Sequence, residues 1–290
     1  MAGTDQELEE ILRIARAASI VVREVYATAF SVELKGPNDP VTRADREANT
    51  LICALLGEAF PGDAVIAEES VTPEAVRATA SRERVFYVDP LDGTREFVDR
   101  NGEFAVMIGL AVRGRAHLGV VVLPVTGEAL AGRTGLDSDR GEAFIEDESG
   151  SRRPLEVPPP GDLDPSAARL VVSRSHRPPL VEKLSIRLGL SQITPCGSVG
   201  VKVARVATGR ADLYVHDGGG VKRWDTCGPE AILRAAGGRF TDLRGDPIVY
   251  AGDDLVVRGG LVASNGRFHD VTVEAARALL AGDSAKQSHL

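Results

Sequence analysis

Val85-Phe-Tyr-Val-Asp-Pro-Leu-Asp-Gly-Thr94 is the stretch on which the reading of this chain turns. Val85 to Val88 form a short buried-strand pattern that runs directly into Asp89. Asp89 and Asp92 stand three residues apart around a proline that fixes the backbone, and Gly93 lets the chain approach a ligand closely. The Leu91 carbonyl lies between the two acids. Carboxylates plus a carbonyl make an all-oxygen donor set, which hard cations such as Mg²⁺ prefer. No paired His or Cys accompanies it, which argues against zinc. Asp, Pro and Gly are also turn residues, so the hexapeptide Asp89–Thr94 alone reads equally as a turn.

Ala64-Val-Ile-Ala67 is a second buried-strand pattern that ends in Glu68-Glu69. Open α/β sheets tend to place ligands at the C-terminal ends of strands, although two acids after an apolar strand also read as a solvated edge. Asp225 follows Trp224, the only tryptophan, and opens a helix to Ala236 that Gly237-Gly238 stops. Its plainer reading is the N-cap of that helix. Asp45 stands three residues after Thr42, in capping-box spacing, at the start of a helix over Thr42–Ala59. Each of these acids sits at a strand end or a helix start. Gathering them into one place is costly through like-charge repulsion, and metal ions relieve that cost.

The rest of the chain alternates helices and strands. A helix is expected over Thr4–Thr28, with Thr4 and Glu7 as a capping box, then a loop over Lys35–Pro40. A hairpin joins Ala105–Ala111 to His117–Leu123 across Arg113-Gly114, followed by turns and short strands to about Glu148. Pro158–Pro165 reads as a stiff linker, dividing a lobe over residues 1–160 from one over 161–290. The second lobe is read as strands at Leu170–Ser173, Ala211–Val215 and Leu261–Ala263, with helices at Pro179–Leu188, Val199–Thr208 and His269–Leu280. The tail from Gly282 reads as frayed.

Composition sets bounds on function. The 290 residues are 43% hydrophobic and 26% charged, ordinary for a soluble globular protein, and long enough for one large domain or two modest ones. A net charge of −8 argues against a nucleic-acid partner but not against small anions, since bound cations reverse the local field. Three cysteines without CxxC spacing, a polar acidic N-terminus and no membrane-length apolar run point to a cytoplasmic protein.

Four motifs occur in order: Asp39-Pro-Val-Thr-x-Ala-Asp45, Ala67-Glu-Glu-Ser70, Asp89-Pro-Leu-Asp-Gly-Thr94, and Trp224-Asp225 with Gly237-Gly238. Together they resemble the inositol monophosphatase-like superfamily of sugar phosphatases, over roughly Leu8 to Phe268. Arg95-Glu-Phe97, Asn101-Gly-Glu-Phe104, Ser173-Arg-Ser-His176 and Trp224-Asp-Thr-Cys-Gly-Pro-Glu230 are most similar to its 3′(2′),5′-bisphosphate nucleotidase (CysQ-like) branch. Ala67 replaces that family's common glycine, the serine at 198 is displaced, and His216 stands where related enzymes carry arginine.

The resemblance implies a two-lobed α/β fold, a layered sandwich of sheets and helices of the inositol monophosphatase and fructose-1,6-bisphosphatase kind. It implies a lithium-sensitive phosphomonoesterase using two or three Mg²⁺ ions. Glu68, Asp89 and the Leu91 carbonyl would hold one ion, and Asp89, Asp92 and Asp225 a second. A third, weaker one would sit near Glu68. Asp45 and Thr94, with Glu68, would take a proton from the attacking water. Gly93 and Thr94 would bind the phosphate attacked, while His176, Ser198 and Lys202 would face the rest of the substrate. The implied substrate is a small anionic phosphate, an adenine nucleotide such as adenosine 3′,5′-bisphosphate, or else an inositol or sugar phosphate. No nucleic acid, membrane or obligate protein partner is implied. The residues alone also allow blander readings: Lys202 as a solvated helix residue, His176 as a loop residue, and Trp224 as a packing anchor.

Overall fold

The computed structural model describes residues 2–37, 39–136, 141–158, 164–175 and 178–287. Helix α1 (Ala2–Tyr26) buries Leu8, Ile11, Ala15, Ala18 and Val22 along one face. It starts at Ala2, ahead of the Thr4–Glu7 box. The expected loop at Lys35–Pro40 is instead a ribbon, in which β1 (Val32–Gly36) pairs antiparallel with β2 (Asp39–Thr42) and Leu34 lies against Pro40. Proline is tolerated because the ribbon is a separate two-stranded sheet, where a missing N–H breaks no central ladder. Thr42 then caps α2 (Arg43–Ala59).

Next come β3 (Ala64–Ala67), a 3₁₀ turn at Glu68–Ser70, α3 (Pro73–Thr79), β4 (Arg84–Asp92) and α4 (Thr94–Val98). The strands β5 (Ala105–Val112), β6 (Arg115–Val122), β7 (Ala129–Thr134), β8 (Gly141–Glu146) and β9 (Arg152–Pro154) follow. The strands β3 to β9 form a seven-stranded sheet in sequence order, antiparallel except for the parallel β3–β4 pair.

After a short 3₁₀ turn come β10 (Arg169–Ser173), α5 (Pro179–Arg187), β11 (Gln192–Cys196), α6 (Val199–Ala207), β12 (Leu213–His216) and α7 (Arg223–Ala235). The chain finishes with β13 (Arg239–Thr241), β14 (Leu261–Ser264) and α8 (His269–Gln287). Helix α8 thus continues past Gly282, into the tail read as frayed. The second sheet has the order β11-β10-β12-β14-β13, with β10 parallel to both its neighbours. Sequence periodicity did not reveal α3, α4, β9, β11 and β13, which are only 3 to 7 residues long. Residues 159–163 of the Pro158–Pro165 stretch, and with them the lobe boundary at 160, lie outside the described residues. Among the described residues no helix is long and apolar enough to cross a membrane.

The elements stack in five layers. Helices α1 and α2 cover one face of the large sheet, α6 and α7 fill the space between the sheets, and α5 and α8 cover the far face of the small sheet. Strand β4 shows the logic: Phe86 and Val88 enter the α1/α2 core while Val85 and Tyr87 enter the α6/α7 core, the period-2 alternation of a strand buried on both faces. Helix α7 lies directly on the large sheet because three glycines meet there. A methyl group at Gly109 or Gly119 would overlap the Gly228 backbone. This contact brings the first turn of α7 down onto the end of β4.

Candidate active site

Two carboxylates three residues apart on a regular strand point to opposite faces. Strand β4 avoids this with a bulge: Asp89 pairs with Met107, whereas Asp92 pairs with Ala105, so three steps on β4 match two on β5. The extra residue restores Asp92 to the face of Asp89 and sends Leu91 into the α1/α2 core. The parallel register of Ala67 against Val88 sets Glu68, the next residue, beside Asp89.

Asp225 joins them from α7. It is not the N-cap of that helix; it is the third residue, and its Oδ2 accepts from the Lys222 N–H at 2.7 Å. Burial, then the neighbouring Glu68, Asp92 and Asp225, raises the Asp89 carboxyl well above the usual carboxylate range. Asp225 is raised likewise by burial, then by Asp92 and Glu68. Glu68 is pushed up to about 7 by burial, against the pull of Lys35.

Lys35, on β1, reaches Glu68 at 2.9 Å and Glu69 at 2.6 Å. Among the described residues no three carboxylate, imidazole or thiol groups already converge as a closed metal shell. Asp92 is turned to Ser198, and Glu68 to Lys35. The donor set nevertheless suits a hard divalent cation: four crowded acids, all oxygen donors, each protonated more readily than in water because burial disfavours its charged form.

Beside this cluster, Thr94 Oγ1 donates to Asp45 Oδ1 at 2.8 Å and also lies 3.2 Å from the Leu91 carbonyl oxygen. The other Asp45 oxygen accepts from both the N–H and the hydroxyl of Thr42, each at 2.7 Å. Burial raises the Asp45 carboxyl, and the bonds from Thr42 and Thr94 partly pull it back. Gly93, at φ 95°, turns the chain from β4 into α4, with the Glu103 carbonyl and Ser198 packed where a side chain would go.

Across from Thr94, Ser198 caps α6 by accepting from the Val201 N–H at 3.0 Å and donates to Asp92 Oδ2. The Gly200 N–H also donates to that oxygen, at 2.7 Å, so Asp92 is held at a helix N-terminus. Ser198 adopts φ 53°, a conformation disfavoured for residues with a side chain, and these bonds hold it there. A cavity of about 250 Å³ lies alongside, lined by Asp92, Gly93, Thr94, Ser198, Lys202 and His216 among others. A larger cleft of about 530 Å³ between β10, α5 and β11 is mostly apolar and lacks convergent polar groups. Lys202 is buried, not solvated. His216 lines the cavity, and its Nδ1 accepts from the Gly218 N–H at 2.9 Å. His176 lies outside the described residues. Trp224, 7% exposed, packs in the core between the sheets.

Three further residues bear on the site without having been singled out. Lys35 lies in a segment whose composition is that of a loop. Glu96, buried on α4, lines the cavity and accepts from the Ser175 hydroxyl at 3.3 Å. Glu103 gathers Arg174, Arg205 and the Gly197 N–H, the last at 2.7 Å, and so fixes the loop that carries Ser198. Only the Asn101-Gly-Glu-Phe104 motif hinted at it.

The sequence from residue 5 to 281 matches the model of the Inositol monophosphatase family. The chain belongs to that family. It is 34% identical over 259 residues to the 3′(2′),5′-bisphosphate nucleotidase CysQ of Escherichia coli O157:H7, covering 89% of this chain and 99% of that one. It is 30% identical over 275 residues to the 3′(2′),5′-bisphosphate nucleotidase 1 of Homo sapiens, covering 83% and 84% of the two. The crystal structure of CysQ from Bacteroides thetaiotaomicron, a bacterial member of the same family, superposes with a TM-score of 0.70 at 26% identity, over 89% of this chain and 97% of that one. The family fold is therefore that of this chain.

Proposed function

We propose that this protein is a Mg²⁺-dependent 3′(2′),5′-bisphosphate nucleotidase that converts adenosine 3′,5′-bisphosphate and water to AMP and phosphate. The observation that carries the reading is the Asp45–Thr94 hydrogen bond at the edge of a four-carboxylate cluster, with the buried Lys202 in the adjoining cavity. The relatives named above, matched over most of their length, support the nucleotide as substrate.

Glu68, Asp89, Asp92, Asp225 and the Leu91 carbonyl would hold two or three Mg²⁺ ions, which when bound neutralise phosphate charge and favour in-line attack by water. The Leu91 carbonyl oxygen, 3.2 Å from Thr94 Oγ1, keeps its lone pairs for this use because the Thr94 proton is given to Asp45. Thr94 Oγ1, already donating to Asp45, accepts a proton from the attacking water as its own moves to Asp45. Burial keeps that carboxyl basic enough to receive it. The new P–O bond forms as the bond to the ribose oxygen breaks; that oxygen takes a proton from solvent water, the proton held on Asp45 returns to solvent, and no phosphorylated enzyme is needed. Ser198 and the Gly200 N–H keep Asp92 in register, and the Gly93–Thr94 backbone would meet the phosphate attacked. Lys202 would neutralise the phosphate that is retained.

We read the chain as two lobes, 1–160 and 161–290, with α7 crossing from the second to pack on the sheet of the first. The three cysteines, Cys53, Cys196 and Cys227, are free, which favours a reducing cytoplasm. The test is phosphate release from adenosine 3′,5′-bisphosphate, inositol phosphates and fructose bisphosphate, in Mg²⁺ with and without chelator. Faster turnover of an inositol phosphate would replace the nucleotide with a sugar phosphate. Chelator-resistant turnover would remove the metal from the reading.

A further inference from the structure

We propose that Tyr214 is a substrate-contacting residue whose hydroxyl donates a hydrogen bond to the retained phosphate, the one that Lys202 neutralises. The inference rests on the bisphosphate reading and names a group in the chain that sets it.

Buried phenols normally find a partner. Here the Tyr87 hydroxyl donates to the Tyr250 carbonyl at 3.1 Å, and the Tyr250 hydroxyl bonds Glu230 at 2.7 Å and Thr226 at 3.1 Å. Tyr214 is as deeply buried, at 0% exposure, yet among the described residues its hydroxyl has no partner. It lies on β12, two residues before His216 and so on the same face of the strand, and it lines the same cavity as Asp92, Ser198 and Lys202.

Lys202 is in the same condition. It is 3% exposed, and among the described residues its ammonium has no hydrogen bond and no carboxylate within 4.0 Å. The carboxylates of Asp92, Glu96 and Glu103 act on it only from beyond 4.0 Å, and its Nζ lies 5.1 Å from the centroid of the Tyr214 ring. One wall of the cavity thus carries a cation and a hydroxyl donor, both buried and both without an acceptor among the described residues. Burial, with the fields of Asp92 and Asp225 behind it, keeps the phenol protonated and therefore a donor.

A group that satisfies both must be anionic and carry several acceptor oxygens, as a phosphate does. The phosphate attacked belongs beside Thr94 and the acid cluster. The wall of Lys202 and Tyr214 therefore suits the other phosphate of a bisphosphate.

The experiment compares wild type with Tyr214→Phe on adenosine 3′,5′-bisphosphate and on adenosine 3′-monophosphate, which keeps the reacting ester and lacks the second phosphate. Wild type is expected to prefer the bisphosphate. In the variant the ratio of kcat/KM between the two substrates falls about tenfold or more, mainly through KM, as for loss of a hydrogen bond to a charged group. Tm does not fall, because no bond within the protein is lost. An unchanged ratio overturns the role of Tyr214 while leaving the bisphosphate reading intact. A Tm lowered by several degrees, with the ratio kept, assigns the hydroxyl to the fold instead. A wild type indifferent to the second phosphate overturns the bisphosphate reading, and this inference with it.

Discussion

Thr94 and Asp45 are joined by a 2.8 Å hydrogen bond in which the hydroxyl donates and the carboxylate accepts, while the second Asp45 oxygen is held by Thr42. The acceptor is thus fixed from behind, and the hydroxyl lone pairs are left to face a water. Thr94→Val removes this relay with little change of shape. We expect kcat to fall by about 10²- to 10⁴-fold with KM less affected, measured as phosphate release. Asp45→Asn should match it in kcat. A variant of either kind with near-normal kcat would remove the pair from proton transfer.

Asp92→Asn keeps the side-chain size and an oxygen for the bonds from Ser198 and Gly200. The fold, followed by circular dichroism, should survive. The negative charge is lost from a cluster of four acids, so kcat should drop severely and the Mg²⁺ concentration for half-maximal rate should rise. Retained turnover at ordinary Mg²⁺ would show that Asp92 holds no cation.

Acid pKa values raised by the fold predict how metal and pH combine. The folded chain holds protons on Glu68, Asp89 and Asp225 that the unfolded chain has already released, so the metal-free fold is favoured at low pH and loses stability as pH rises. For Glu68 this window runs from about 4.3, its unfolded value, to about 7. Mg²⁺ held by these acids would take the place of those protons, so its stabilising effect on Tm should be small near about pH 5 and large near about pH 8. Glu230, also pushed up to about 7, adds to the metal-free slope but not to the Mg²⁺ effect. A Mg²⁺ shift independent of pH would place cation binding away from these acids.

Gly119→Ala puts a methyl group into the Gly228 backbone, where no flexible side chain is available to give way. We expect a loss of about 1–3 kcal/mol, the usual range for overpacking, read as a lower denaturation midpoint. Activity should fall further than stability explains, because α7 carries Asp225. A fully stable, fully active variant would show that α7 does not sit as close to β6 as described.

Which acids gather at the end of β4 was legible in the sequence, because Asp89-Pro-Leu-Asp-Gly-Thr94 concentrates its signal in six consecutive residues. The geometry was not. A spacing of three on a strand predicts opposite faces, and only pairing with β5 reveals the bulge that brings Asp89 and Asp92 together. Lys35 was hidden because Gly36, Pro37 and Pro40 carry the composition of a loop, although the backbone there pairs as a ribbon. Asp225 reads as an N-cap by residue type, yet the helix starts two residues earlier. Glu103 meets Arg174 across 71 residues, a contact that no local periodicity encodes.

Asp45 and Asp225 share one more property. Each is the third residue of its helix, and each accepts the backbone N–H three positions before it, from Thr42 or Lys222. Both acids therefore start a helix as well as serving the site. A descendant that abandoned hydrolysis would still be held to these two aspartates by the demands of folding. Glu68, which anchors no helix start, would be free to drift first, so inactivation in such a lineage would be recorded there.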